Sequence, residues 1–233
     1  MNYLQDNSRF LGTGETNQKG QSLETFLENY NPKKYDCPSN TVDILVFRLV
    51  RGTSYDAPHL KLLMVRRGNH PCIGSWALPG GFVNLRENLE DAAARELEEE
   101  TGVRRSDLIQ LKTYGDYDRD PRWRVITTAY IAVLEEDTPV RAGDDAADAA
   151  WMDVQLTSEV QGKEPEKVLY TLTLCLPEQS LELSAVVEET AAISGIFPGK
   201  RRKLLSSKDI AADHGLIITE AVLLLNQQLL SHI

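Results

Sequence analysis

The stretch Gly80-Gly81-Phe82-Val83-Asn84-Leu85-Arg86-Glu87-Asn88-Leu89-Glu90-Asp91-Ala92-Ala93-Ala94-Arg95-Glu96-Leu97-Glu98-Glu99-Glu100-Thr101-Gly102-Val103 decides how the rest of the chain is read. Its second half, Leu89 to Thr101, is made of strong helix formers with no Gly or Pro inside. That composition predicts a helix, and Gly102 supplies its stop. Leu89, Ala92, Ala93 and Leu97 fall on one stripe, the face expected to pack on a sheet. Glu96, Glu99 and Glu100 stand at i, i+3 and i+4, so their carboxylates share one patch.

Like charges at that spacing destabilise a helix, and these lie in its C-terminal half, where the macrodipole disfavours anions. A cluster set against both preferences points to a compensating cation. Hard divalent ions such as Mg²⁺ take carboxylate oxygens and keep several waters. The ordinary reading of a Glu-rich helix is a solvated acidic face. Here the surrounding spacing overturns it. From Gly81, five residues lead to Glu87 and seven more to Arg95, followed by Glu96, the apolar Leu97, Glu99, Glu100, Gly102 and the apolar Val103.

This pattern resembles the Nudix box, Gly-x5-Glu-x7-Arg-Glu-U-x-Glu-Glu-x-Gly-U with U apolar, at every specified position. So many fixed residue types at fixed spacing leave little room for a chance match. The resemblance implies an α/β fold, an α/β/α sandwich around a mixed β-sheet with the box on a strand–loop–helix unit. It also implies hydrolysis of a nucleoside diphosphate linked to another group, with water attacking a phosphorus of the pyrophosphate. For ADP-ribose the products would be AMP and ribose 5-phosphate. A Mg²⁺ or Mn²⁺ cofactor is expected to neutralise phosphate oxygens and activate water.

On this resemblance Glu96 and Glu100 are the first metal ligands, with Glu99 beside them. The Gly80 carbonyl adds a neutral oxygen, and Glu87 reaches the metal through water. Arg95 belongs to the catalytic group as the residue that orients a neighbouring glutamate. The general base comes from outside the box in several members of the family. Glu135, Glu136, Asp144 and Asp145 are therefore candidates, with Glu99 as the alternative within the box. Gly143-Asp144-Asp145-Ala146 resembles a stretch of ADP-ribose-type members and brings Asp145 into the catalytic set, although paired aspartates are also plain turn formers.

The substrate class rests on further resemblance to ADP-ribose-type members. It is carried by Tyr114-Gly115-Asp116, by Arg119-Asp120-Pro121-Arg122-Trp123-Arg124 and by Asp213-His214. Arg119, Arg122 and Arg124 are candidate phosphate clamps, and Trp123 or Tyr117 a candidate base-stacking group. Arg66 and His70 are candidate phosphate contacts near the box. The bland readings are a loop anchor for Trp123, a hydrogen-bonded helix-start residue for His214 and a solvated loop run for Lys200 to Lys203.

A chain of 233 residues fits one large domain or two small ones. Its net charge of −10 argues against broad binding to nucleic acid or an anionic membrane, yet not against an anionic substrate held through metal. Cys37, Cys72 and Cys175 are scattered and lack zinc-type spacing, so free thiols in a reducing compartment are expected. With no apolar signal core at Met1 to Phe10 and no stretch of membrane-spanning length, the reading is a cytoplasmic protein. The partner expected is a nucleotide-derived small molecule.

Residues 1–38 read as a polar lead-in with a short amphipathic helix over Ser22 to Tyr30, ended by Asn31-Pro32. Residues 39–233 read as the Nudix domain. Strands are expected at Thr41–Val50, Leu60–Val65, Leu108–Tyr114, Val125–Leu134 and Ala149–Val154, and the Nudix resemblance implies a further short one at Trp76–Pro79. Residues 155–206 read as an insertion carrying a β-hairpin, Val168–Leu176 with Leu181–Val187, followed by loop over 189–207. A closing helix over about 207–229 is expected to start at Ser207 or Asp209. The hairpin must bury one face, either on its own domain or in a homodimer. Other readings are a Nudix hydrolase of nucleoside triphosphates, NADH or a nucleotide sugar, and a ligand-sensing Nudix protein without strong catalysis.

Overall fold

The computed structural model describes residues 3–50, 59–104, 107–134, 146–162, 167–192 and 199–231. The chain divides into two compact units, residues 1–37 and 38–233. In the first, the Ser22 hydroxyl accepts a hydrogen bond from the Thr25 backbone N–H and so caps helix α1 (Leu23–Asn29).

The second unit is built on β1 (Ser39–Val50), a strand buried on both faces along its middle. It is followed by β2 (His59–Arg67), β3 (Trp76–Ala77), β4 (Gly80–Phe82), α2 (Leu89–Thr101), β5 (Ile109–Tyr114), β6 (Val125–Leu134) and β7 (Ala146–Gln161). The chain continues through β8 (Lys167–Leu176), β9 (Leu181–Ala192), β10 (Gly199–Lys208) and α3 (His214–Ser231). One mixed sheet runs in the order β10-β9-β8-β7-β2-β1-β6-β5, with β3 on β2 and β4 on β1. β1 and β6 are parallel and the other pairs antiparallel. β1 gives one edge to β6; along the other, β4 pairs with its first residues and β2 with its last.

Alternation along β1 splits the core in two. Val42, Ile44 and Val46 pack with Ala92, Ala93 and Leu97 of α2. Leu45 and Phe47 face the opposite side and join Leu216, Ile217, Ile218, Ala221 and Val222 of α3. The α2 stripe is as expected from the sequence except at Leu89, which is 37% exposed at the start of the helix. Gly102, at φ 74°, ends α2 in the left-handed region, and its N–H donates to the Glu98 carbonyl.

Helix α3 is buried around its whole circumference over Leu216–Val222, the polar Thr219 and Glu220 included. A helix of that kind must be enclosed. The sheet encloses it by curling. Glu220 accepts hydrogen bonds from Tyr114 (2.7 Å) and Lys112 (3.0 Å) of β5, and ion-pairs with Arg202 of β10 at 3.6 Å. The two strands at opposite ends of the sheet order thus meet one carboxylate of α3.

Three sequence expectations need correction. Within 189–207, residues 189–192 and 199–207 are strand where loop was expected: β9 runs to Ala192, and β10 carries Lys200 to Lys203 against it. The run is strand because its charges are paired, Lys200 and Arg202 each 2.7 Å from the Glu189 carboxylate. The closing helix does not start at Ser207 or Asp209. Ser207 lies in β10, Asp209 turns at φ 61°, and α3 opens at His214. The 155–206 segment is more than a hairpin. β7 is far longer than expected, and β8, β9 and β10 extend the sheet. Leu172, Leu174, Leu183, Ala185 and Val187 are buried within this chain, so the hairpin covers its apolar face without a second copy. Among the described residues no helix is long and apolar enough to cross a membrane.

Candidate active site

A cleft of about 500 Å³ opens where β4, α2, the turn after β2, the β5–β6 loop and the start of α3 come together. One wall is the box. Arg95 sits at its centre. Its Nε and Nη2 bond the two Glu87 carboxylate oxygens at 2.7 and 2.9 Å, and Nη1 bonds Glu96 at 2.6 Å and Glu99 at 2.9 Å. Nη2 also donates to the Phe82 carbonyl at 3.1 Å. The guanidinium thus ties the loop carboxylate Glu87 to two helix carboxylates. The Arg95 bonds, with help from the Asn84 N–H, hold the Glu87 carboxyl down at about 2.

Glu100 is placed differently. It points to the strand and accepts the Gly80 N–H at 2.9 Å. Burial pushes its carboxyl up to about 7; the Gly80 bond opposes that rise, and the Glu96 charge adds to it. Close approach requires both glycines of β4. A Cβ on Gly80 would overlap the Val42 carbonyl oxygen, and one on Gly81 would overlap the Glu96 carboxylate.

Behind the carboxylates lies a buried polar group that joins three elements. Asp43 of β1 accepts the Thr127 hydroxyl at 2.7 Å and lies 3.7 Å from Arg119. Arg119 makes a two-bond fork to Asp213, 2.9 Å in each arm. His214 Nδ1 accepts the Leu78 N–H at 2.9 Å, which leaves the proton of a neutral ring on Nε2, 3.8 Å from Asp43.

The sequence candidates distribute unevenly. Glu96, Glu99, Glu100, Gly80, Arg95, Arg66, Arg119 and Arg122 line the cleft. Glu87 stands beside it, bound to Arg95. Arg119 lines it with a guanidinium already engaged by Asp213, and its side chain is only 6% exposed. Arg122 forks onto Asp120 and lies over the Phe82 ring, 5.2 Å from its centroid. His70, Arg124 and Trp123 are not among the cleft-lining residues. Arg124 donates to the Asp116 carbonyl, and Trp123 is 56% exposed. Glu135, Glu136, Asp144 and Asp145 lie outside the described residues.

Asp43, Arg67 and Cys72 also line the cleft and were not singled out from the sequence. Asp43 sits inside an apolar strand run, and that interruption was the one available signal. Arg67 at the end of β2 donates to the Pro71 carbonyl at 2.7 Å, and its charge favours the ionised form of Glu100.

Among the described residues, no three His, Cys, Asp or Glu side chains stand as a ready ligand set. The donors nevertheless suit a hard divalent ion. They are all oxygens, and a metal that keeps its waters needs only one or two carboxylates at a time. Glu100 is a partly buried carboxylate whose desolvation the Gly80 N–H and the Arg67 charge offset only in part. Glu96 and Glu99 share a single guanidinium with Glu87, which leaves net negative charge at the site.

Comparison with known proteins agrees with this geometry. A family profile described as NUDIX domain matches residues 42–172. The chain is 42% identical over 94 residues to an ADP-ribose pyrophosphatase of Methanocaldococcus jannaschii, covering 40% of this chain and 55% of that one. It is 38% identical over 115 residues to the ADPR responsive transcriptional repressor NtrR of Acinetobacter baylyi, covering 48% of this chain and 44% of the other. It spans about half the length of these curated relatives. Among solved structures, a MutT/nudix family protein from Enterococcus faecalis superposes with a TM-score of 0.62 at 32% identity, over 86% of this chain and 68% of the other. With the profile spanning more than half its residues and every fixed position of the box present, this chain belongs to the Nudix family.

Proposed function

We propose that this protein hydrolyses the pyrophosphate bond of ADP-ribose or a closely related ADP-linked compound, using a divalent cation. The observation that carries the reading is the composition of the cleft. Box carboxylates form one wall, with Glu100 buried against Gly80, and Arg66, Arg67 and Arg122 line the same space. Cations near a carboxylate cluster suit a substrate whose phosphates bridge them. The two relatives named above are described by their action on, or response to, ADP-ribose, which supports that substrate class.

A divalent ion held by Glu96, Glu99 and Glu100, with the Gly80 carbonyl and Glu87 in support, would neutralise phosphate charge and lower the pKa of attacking water. The chain's own residues do the rest. Arg122 and Arg66 offer guanidinium donors to phosphate oxygens. Arg95 keeps Glu96 and Glu99 in place. Water adds its oxygen to phosphorus, the P–O bond of the bridging oxygen breaks, and one proton leaves the water. AMP and ribose 5-phosphate result from ADP-ribose. Glu99 within the box, or Asp145, is the proposed acceptor of that proton.

A second reading is supported by the Acinetobacter relative, a repressor responsive to ADP-ribose: this cleft could bind the ligand with little turnover. One experiment separates the two. Release of phosphate monoester is measured with ADP-ribose, NADH, nucleotide sugars and nucleoside triphosphates, each with Mg²⁺ or Mn²⁺. Turnover of ADP-ribose, reduced by orders of magnitude in Glu100→Gln, supports hydrolysis. Micromolar binding of ADP-ribose without turnover supports the sensor. Preference for nucleoside triphosphates over every ADP-linked compound sinks the substrate assignment.

A further inference from the structure

We propose that Arg119 and Asp213 are positioning residues: their ion pair fixes the β5–β6 loop against the start of α3 and thereby sets Arg122 in the cleft. This rests on the hydrolase reading above and assigns the pair a part in substrate affinity. The Arg119 side chain is 6% exposed, too enclosed to serve freely as a phosphate clamp. Both arms of its fork end on the two Asp213 oxygens at 2.9 Å, and Asp43 lies 3.7 Å from Nη2. A guanidinium enclosed by two carboxylates is held by them, because breaking a buried pair strands a charge.

The loop around Arg119 has local bonds that travel with it. The Arg119 N–H donates to the Asp116 carbonyl at 3.3 Å, and Arg124 donates to the same carbonyl at 3.1 Å. Three residues beyond Arg119, Arg122 forks onto Asp120 and lies over Phe82 of β4, the strand that carries the box glycines. Arg122 therefore reaches the box wall from a loop that the Arg119–Asp213 fork ties to the turn just before α3.

Asp213 owes its own place to the turn before α3. The Trp76 N–H donates to the Asp209 carbonyl, and the Ala211 N–H donates to the Trp76 carbonyl. His214, next in sequence, holds the Leu78 N–H. The start of α3 is thus stitched to β3, and the pair transmits that fixed position to the loop.

The test uses the full chain and three variants: Asp213→Asn, Arg119→Lys and the double substitution. Lysine keeps the charge but cannot make the fork. With ADP-ribose and saturating Mg²⁺, each single change should raise KM about tenfold while kcat stays within about twofold, as loss of uniform binding does. The double variant should raise KM no further than the worse single one, since both act through one bond. Hydrogen exchange at the Arg119 and Arg122 amides should quicken in all three, with the α2 amides unchanged. Unchanged exchange at those amides overturns the proposal whatever the enzyme does. Faster exchange with unaltered KM overturns it as well, leaving the pair to stability alone. Should the wild type turn over no ADP-linked compound, the hydrolase reading fails separately. Calorimetric affinity for ADP-ribose then replaces KM, and a variant affinity equal to wild type counts against the proposal.

Discussion

Replacing Arg95 by alanine removes the one cation that touches Glu87, Glu96 and Glu99 together. Four charge-assisted bonds and one bond to a backbone carbonyl disappear. Bonds to charged groups contribute roughly 1.5–3 kcal/mol each when well enclosed, but those sharing one side chain are far from additive. Arg95 is 28% exposed and Glu99 59% exposed, so water screens part of the gain. Glu87 and Glu96, only 14% and 13% exposed, lose the most. A net loss of about 2–3 kcal/mol lies between the values for surface and buried pairs. In a domain of this size that lowers Tm by roughly 4–12 °C.

The same substitution also frees the carboxylates to bind a cation. A divalent ion held by Glu96 and Glu99 would compete with Arg95 for their carboxylates, so removing the guanidinium would leave that negative charge to the ion. Linkage then requires Mg²⁺ to stabilise the variant more than the wild type. Thermal melts with chelator and with millimolar Mg²⁺ measure both effects on one sample. A drop of less than about 2 °C in chelator would refute the central place given to the guanidinium. Equal Mg²⁺ increments in the two proteins would show that Arg95 and metal do not share ligands.

Other outcomes follow from separate parts of the structure. Gly81→Ala pushes a Cβ into the Glu96 carboxylate, the mobile end of a side chain, so Tm should change by less than about 3 °C while the Mg²⁺ needed for half-maximal stabilisation rises several-fold; unaltered Mg²⁺ dependence would clear Glu96 of a role. Burial raises the Glu189 carboxyl, yet the Lys200 and Arg202 bonds outweigh it and hold its pKa below the ordinary 4.5. Its contribution to stability is therefore complete above that value and fades as pH falls below it, so the deficit of Glu189→Gln at pH 7 in denaturant melts should shrink on acidification; a pH-independent deficit contradicts the pairing. Replacing residues 160–190 by a short linker should abolish the cooperative melt, because it strips β8 and β9 from the α3 core; a folded, shortened protein in light scattering would restore the hairpin as a separable insertion.

What the sequence made legible was whatever depends on spacing along one element. The box, the α2 stripe and the short helix from Ser22 to Tyr30 are local, and each is stated by residue types a few positions apart. What it hid depends on a partner far along the chain. Lys200-Arg201-Arg202-Lys203 looks like a solvated run because nothing nearby shows that Glu189 stands opposite Arg202 in the β9–β10 register. Ser207 and Asp209 look like caps, but Ser207 donates to the Ile210 carbonyl and the helix begins later. Arg119 carries the charge expected of a phosphate clamp, and only the fold reveals that Asp213 engages it. Asp43 is a lone carboxylate in an apolar strand and forms no motif.

The site as a whole hangs on one short register. β4 pairs with β1 through Thr41–Phe82, Val42–Gly81 and Asp43–Gly80. In that register Val42 faces the α2 core while its neighbour Asp43 faces Thr127 and Arg119. A slip of β4 by one residue would exchange its own faces and carry the Gly80 N–H away from Glu100, while β1, paired with β6 from Ser39 to Arg48, would keep Asp43 on the cleft side. Such a strand of three residues has few ladder bonds to prevent this. The glycines limit the alternatives: Gly80 lies where the Val42 carbonyl excludes any side chain, and Gly81 where a side chain would displace the Glu96 carboxylate. The Gly80 N–H that holds Glu100 is fixed by the same pairing. The two glycines before the box therefore do more than make a turn. They let the strand lie close enough to β1 and α2 for a single register to place Asp43, Glu96 and Glu100 around one cleft.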